Sequence, residues 1–301
     1  MGYETHGIVA NGLISPKYGL DQGFEAYRFG WNMESAMTDA PKVSAFVQEH
    51  TTTPWLLFWH IMDPHLPYTT EASFREAFTD PDYDGRFKNR RGAYVPFEVL
   101  DPRPGRRWFV HEGPPPAPEL TDADKRYVSD YYDAEIAEMD AAVGEVIEAL
   151  KASGQWERTV VAFIADHGEG LNEHGEPTHS YFVYNSTMRV PLIIWAPDRL
   201  QGGKRVSALA RTIDILPTAL DILEVDPPAD LDGSSLIPLI EKDEKPDMRS
   251  AYGESTRFAA TFNLPTLRYL RRGDWKYIHK TNKQKKSLKP YRKARKIVKI
   301  K

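Results

Sequence analysis

Two apolar runs of strand length, each broken off by an Asp and a His, constrain this chain more than any other feature. The first, Trp55-Leu-Leu-Phe-Trp-His-Ile-Met62, stops at Asp63-Pro-His65-Leu-Pro-Tyr68. The second, Thr159-Val-Val-Ala-Phe-Ile-Ala165, stops at Asp166-His167-Gly168-Glu169-Gly170. Continuous apolar runs of this length suit strands of a parallel sheet buried on both faces. In open α/β sheets ligands bind beyond the carboxyl ends of the strands. The chemistry is therefore expected at these two ends.

The remaining pattern agrees with an α/β chain. A short strand is predicted at 7–11, a short helix at 41–50 and a third buried strand at Val190-Pro-Leu-Ile-Ile-Trp195. The clearest helix runs from Asp122 to Ser153. Thr121 and Asp124 form a capping-box signature before it, and Gly154 ends it. Another helix is expected over 212–223. Strands alternating with helices predict a mainly parallel sheet sandwiched by helices. Residues 69–120 read as a loop-rich insertion that holds Tyr83, Arg90, Arg91, Arg106, Arg107 and the proline run 114–116. Such an insertion serves as a lid, a binding loop or a mobile segment.

Composition narrows the function classes. Among 301 residues there is no Cys, which removes disulfides, Cys-ligated zinc and a Cys nucleophile. No apolar run approaches the ~20 residues of a membrane span. The opening Met-Gly-Tyr-Glu-Thr-His lacks the basic end and apolar stretch of a signal peptide, and the compartment is not readable. Net charge is −4, but residues 280–301 hold eleven Lys or Arg and no acid, which leaves −15 on residues 1–279. An acidic body argues against a nucleic-acid binder. The reading is one α/β domain over 1–279 and a basic, disordered tail over 280–301.

Asp166 and His167 leave one strand end together. They can share a divalent cation, or merely cap a strand-to-loop turn. Mixed oxygen and nitrogen ligands suit Mn²⁺, Zn²⁺ or Fe²⁺. Gly168 and Gly170 let the backbone turn sharply there. His65, held between Pro64 and Pro67, is placed to donate a proton to a leaving group. His60, inside the apolar run, reads as a supporting group. His174 and His179 do not form a zinc-protease pair, because the text is His-Gly-Glu-Pro-Thr-His.

Several motifs in order then make the chain resemble the sulfatases of the alkaline-phosphatase-like superfamily. They are Gly2-Tyr-Glu-Thr5, Asp63-Pro-His-Leu-Pro-Tyr68, Asp140-Ala-Ala-Val-Gly144, Asp166-His-Gly-Glu-Gly170 with Glu173-His-Gly175, Arg189-Val-Pro-Leu-Ile193, Ile213-Asp-Ile-Leu-Pro-Thr218, Asp232-Gly-Ser-Ser-Leu236 and Gly273-Asp-Trp-Lys-Tyr-Ile278. The resemblance implies metal-dependent hydrolysis of a small-molecule or glycan sulfate ester. It assigns Asp166 and His167 to one divalent cation (Ca²⁺, Mg²⁺, Mn²⁺ or Zn²⁺), His65 to the leaving alcohol or the sulfate, His179 to the sulfate, and His60 and His174 to substrate contact.

The sequence also departs from that family. Its nucleophile is a formylglycine made within a Cys/Ser-x-Pro-x-Arg motif, and neither that motif nor the early metal-binding Asp pair is present. The expectation is therefore an inactive form truncated at both ends. Two other readings keep the fold. One is a phosphate or phosphonate monoester hydrolase, or a phosphoethanolamine or glycerophosphate transferase. The other is a non-catalytic remnant.

Overall fold

The computed structural model describes residues 2–30, 34–88, 120–176, 178–179, 181–242, 249–256, 265–281 and 294–299. The chain divides into two compact units, residues 1–157 and 158–301.

The first unit is built on three parallel strands, β1 (Glu4–Val9), β2 (Ala26–Phe29) and β3 (Trp55–His60), in the order β2-β1-β3. Two helices pack on this sheet, α1 (Ala36–Glu49) and, after the short α2 (Ala72–Phe78), the long α3 (Asp122–Ala152). Ile8 of β1 joins Ala36, Ala40 and Val43 of α1 and Ala142 and Val146 of α3 in one core, with Leu57 and Trp59 of β3 against it. The parallel register sets His6 beside Leu57 and Ile8 beside Trp59, so these side chains share the helix-covered face.

That geometry changes one expectation. The run at 55–62 reads as buried on both faces, yet Leu56 and Phe58 are 47% and 41% exposed. Helices α1 and α3 cover only the alternate side chains of β3.

Local signals set α3. Thr121 accepts the Asp124 N–H, and Asp124 accepts the Thr121 N–H, which completes the expected capping box. Gly154 follows at φ +69°, a left-handed conformation suited to glycine after a helix end. By contrast, α1 starts at Ala36 rather than at Pro41. The Asp63 carboxylate accepts the Ala36 N–H at 2.7 Å and satisfies the helix start from 27 positions away.

The second unit holds β4 (Val161–Ile164) and β5 (Leu192–Trp195), with the one-turn α4 (Asn185–Met188) between them. These strands pair antiparallel, whereas the sequence reading placed them in a mainly parallel sheet. No crossover helix separates them, so the chain returns in the opposite direction. Helices α5 (Ile215–Ile222) and α6 (Ile237–Lys242) follow, and Ala196, Ile222 and Ile237 form a core with Ile194. Asp214, fully buried, binds Arg211 and the Ser234 N–H just before α5.

A four-stranded antiparallel sheet closes this unit: β6 (Ser250–Ser255), β7 (Leu267–Arg272), β8 (Trp275–Lys280) and β9 (Ala294–Lys299). Gly273, at φ +52°, and Asp274 make the two-residue turn between β7 and β8. Within the stretch 280–301, expected to be a disordered tail, Ala294–Lys299 pair with β8 from Lys280↔Ala294 to Trp275↔Lys299. Backbone pairing along the open edge of β8 accounts for this strand. Much of the predicted insertion, 89–119 with Arg90, Arg91, Arg106, Arg107 and the proline run, lies outside the described residues, as do 282–293. Among the described residues no helix is long and apolar enough to cross a membrane.

Candidate active site

The two loops singled out by the sequence fall one in each unit. In the first, β3 ends at the half-buried His60, in register with Val9 of β1. Three residues on, Asp63 anchors the start of α1. Burial pushes its carboxyl up in pKa, against the lowering effect of the Ala36 N–H. His65 follows, half-buried, with Nδ1 2.6 Å from the Leu66 carbonyl oxygen. A carbonyl only accepts, so Nδ1 carries the proton and Nε2 is the nitrogen that exchanges one. The peptide bonds preceding Pro64 and Pro67 are both cis.

Helix α3 fixes the exit of this loop. Tyr68 is fully buried and meets Tyr132 edge-on, ring centroids 5.6 Å apart. Glu135 accepts the Thr69 N–H, and Glu138 accepts the Thr70 hydroxyl and, at 2.9 Å, the Glu71 N–H. Glu135 is 2% exposed, and its Oε2 has no hydrogen-bond partner among the described residues. Burial raises its pKa to about 9. The Thr69 N–H opposes the shift, and the neighbouring Asp63 and Glu138 charges add to it. At neutral pH Glu135 is therefore an uncharged acid.

In the second unit, β4 leads into Asp166, whose side chain is exposed. Asp166 Oδ1 accepts the His167 N–H at 2.8 Å and lies 3.7 Å from His167 Nε2. His167 Nδ1 is 2.9 Å from the Gly168 carbonyl oxygen, so it is the protonated nitrogen. That leaves Nε2, on the Asp166 side, as the atom able to bind a metal. The His179 ring lies nearly parallel to that of His167, centroids 4.0 Å apart. His179 Nδ1 is 3.3 Å from both oxygens of Glu169, which is buried. Burial by itself lowers the His179 pKa. The Glu169 carboxylate, with the Asp166 and Glu176 charges, outweighs it and raises the value.

Backbone contacts shape this loop. Gly168 donates to Thr187 O and Gly170 to Thr178 O. A Cβ on Gly168 would stand 2.1 Å from the Ser186 carbonyl oxygen, and one on Gly170 2.4 Å from those of Glu176 and Thr178. Only glycine fits at either position. Glu176 Oε1 accepts the Tyr181 and Phe182 N–H groups, which turns the chain back past His179.

The structure thus brings Asp166, His167 and His179 into one cluster. His174 stands apart, exposed, at φ +56°, with its ring 4.1 Å from that of Tyr184. His60 and His65 share the other loop. Asp166 and His167 offer one oxygen and one nitrogen to a cation, and among the described residues no third carboxylate or imidazole joins them at ligand spacing.

Four buried ionisable residues of the two units were not singled out as site residues from the sequence. Glu135, Glu169 and Glu176 act through partners distant in sequence or through backbone groups. The fourth is Lys276 on β8, 3% exposed, with Nζ 3.3 Å from Asn185 Oδ1 and 4.1 Å from the Tyr269 ring centroid. Burial, with Arg271 nearby, lowers its pKa to about 8. The alternation of Trp275-Lys-Tyr-Ile278, which sets Lys276 on the same face as Ile278, was the available signal.

The chain is similar to known proteins in sequence and in fold. The sulfatase family model matches residues 9–225, and that of the N-sulphoglucosamine sulphohydrolase C-terminal region matches 173–290. An N-acetylglucosamine-6-O-sulfatase of Bacteroides thetaiotaomicron is 30% identical over 52% of this chain and 28% of its own length. Arylsulfatase K of Gallus gallus is 33% identical over 53% of this chain and 30% of its own length; that of Bos taurus is 27% identical over 76% and 44%. The chain therefore spans less than half the length of these curated relatives. A protein solved with its substrate D-glucosamine-2-N,6-O-disulfate superposes with a TM-score of 0.71 at 20% identity, over 99% of this chain and 73% of that one. The phosphonate monoester hydrolase of Agrobacterium radiobacter gives 0.68 at 21% identity, over 93% and 70%. The shared architecture is the alkaline-phosphatase-like α/β fold.

Proposed function

Because the chain belongs to the sulfatase family of sulfuric ester hydrolases, we propose that these residues carry the cation-binding and leaving-group side of a sulfate-ester hydrolase centre. The observation that carries this reading is the pair of buried Glu169 and half-buried His179 lying against His167. An imidazole whose protonated form is favoured by a carboxylate, set beside a cation-binding pair, suits recognition of an anionic ester group.

Each residue then has a role. Asp166 Oδ and His167 Nε2 would hold the cation, which would supply Lewis-acid polarisation of the sulfate group. Glu169 keeps His179 oriented and favours its protonated form, which donates to a sulfate oxygen. His65 protonates the departing alcohol from Nε2, with its ring oriented by the Leu66 carbonyl. His60 and His174 contact the alcohol part of the substrate. The substrate class is a sulfated sugar, a reading supported by the N-acetylglucosamine-6-O-sulfatase among the relatives.

These 301 residues hold neither Cys nor Ser-x-Pro-x-Arg, the text from which the family's covalent nucleophile is made. By themselves they are expected not to turn over 4-nitrophenyl sulfate. The test joins a relative's segment, carrying its Asp pair and formylglycine motif, ahead of residue 2 and co-expresses the maturing enzyme. Recovered sulfate hydrolysis, lost in His65→Ala and Asp166→Ala and absent with 4-nitrophenyl phosphate, supports the reading. Turnover of the aryl sulfate by the unextended chain overturns it.

A further inference from the structure

We propose that Glu4, His6 and His50 form a second divalent-cation site, of the kind that takes Zn²⁺, at the amino-terminal edge of the parallel sheet. It uses none of the residues assigned above and lies, within the first unit, at the other end of β1 and β3 from the His65 loop. Glu4 and His6 are two apart on β1 and therefore point to one face. Ile8, two further on, packs against α1, so this is the face that α1 covers. Helix α1 ends with His50 as its C-cap residue, which delivers a second imidazole to the same place.

The three side chains are already arranged as ligands. One donor atom from each lies within 4.8 Å of the other two. His50 Nδ1 is 2.8 Å from the Phe46 carbonyl oxygen, an acceptor only, so Nδ1 bears the proton. Its Nε2 therefore presents a lone pair in the neutral ring, 3.3 Å from Glu4 Oε2. Metal-binding histidines characteristically donate their other N–H to such a carbonyl. For Zn–ligand bonds of about 2.0–2.1 Å, the edge of a tetrahedron is roughly 3.3–3.4 Å, which the Glu4–His50 separation matches. The rings are held as well: His50 stacks on Phe46 with centroids 4.2 Å apart, and His6 lies 4.5 Å from Phe46 and 5.2 Å from His50.

Two imidazoles and one carboxylate favour Zn²⁺ over Ca²⁺ or Mg²⁺, which prefer oxygen alone. Three protein ligands leave a fourth position for water. All three residues are half-buried, so an ion can enter. The site sits at the carbonyl end of α1, where the helix dipole favours a cation. An ion there ties the first residues of β1 to the last turn of α1. Because only the folded chain brings the three together, it stabilises the fold by mass action.

The test uses the full chain carrying Asp166→Ala and His167→Ala, so that the other pair is silent. Zn²⁺ is titrated by calorimetry, and the melting temperature is followed with and without Zn²⁺. One equivalent should bind and raise the melting temperature. Adding Glu4→Gln and His6→Gln should weaken binding by more than the ~10–100-fold that loss of a ligand's supporting partner causes, and abolish the thermal shift. Circular dichroism checks that this variant folds; His50→Gln supplies an independent ligand deletion. Absence of Zn²⁺ binding in the Asp166→Ala/His167→Ala chain, or undiminished binding after either ligand deletion, overturns the proposal.

Discussion

His179 lies almost flat on His167, with ring centroids 4.0 Å apart and planes 28° from parallel, while its Nδ1 faces the buried Glu169 carboxylate. One imidazole is thus oriented by a carboxylate and set beside another whose Nε2 faces Asp166. This predicts that inorganic sulfate raises the melting temperature of the chain and that His179→Ala removes the response. Glu169→Gln should reduce it, since the ring loses its negative partner. An unchanged sulfate response in His179→Ala would exclude the sulfate-binding role.

Asp166 and His167 should bind Mn²⁺ weakly, because two protein donors supply only part of a coordination shell. Calorimetry on the Glu4→Gln/His6→Gln chain isolates this pair. Asp166→Ala and His167→Ala should each eliminate the remaining heat of binding. Tight binding that survives both substitutions would refute the assignment.

Glu135 makes stability depend on pH in a direction opposite to an ordinary ion-paired acid. Its folded pKa of about 9 stands above the usual 4.5, so between those values the folded state binds more protons than the unfolded. Its contribution is full below about pH 4.5 and is lost as pH rises toward 9. Glu135→Gln keeps an acceptor for the Thr69 N–H and carries no charge. The variant should be more stable than the parent at pH 8 and show a flatter fall in stability between pH 5 and 9 in urea unfolding. Parallel curves for the two chains would contradict a neutral Glu135.

Gly168→Ala places a methyl group 2.1 Å from the Ser186 backbone oxygen, where no flexible side chain can yield. Overpacking of this kind costs typically ~1–3 kcal/mol. Urea denaturation should show a loss in that range, and the sulfate response should weaken with it because Gly168 also anchors the loop to Thr187. Full stability in the variant would show that the loop has room the structure does not display.

Much of the candidate site was legible because it is written in contiguous text. Asp166 and His167 follow an apolar strand, and His65 stands between two prolines after another. The groups that orient them were not legible. Glu135 reaches Thr69 across 66 positions, and Glu169 meets His179 only because the chain turns back at Glu176. A glutamate in a helix pattern looks alike whether it points to water or holds a loop.

The same division runs through the fold. The sequence by itself determined where α3 begins, because Thr121 and Asp124 satisfy each other's backbone groups within one turn. It also determined the strand character of β3 and the acidic body with its basic end. Tertiary structure decided the rest. It started α1 at Ala36 through the carboxylate of Asp63, turned β5 antiparallel to β4, drew Ala294–Lys299 onto the edge of β8, and gathered Glu4, His6 and His50 at one place. Contacts a few residues apart leave a periodic or spaced signature in the text. Contacts closed across tens of residues leave none, because what selects them is the packing and backbone pairing of elements that meet only in the folded chain.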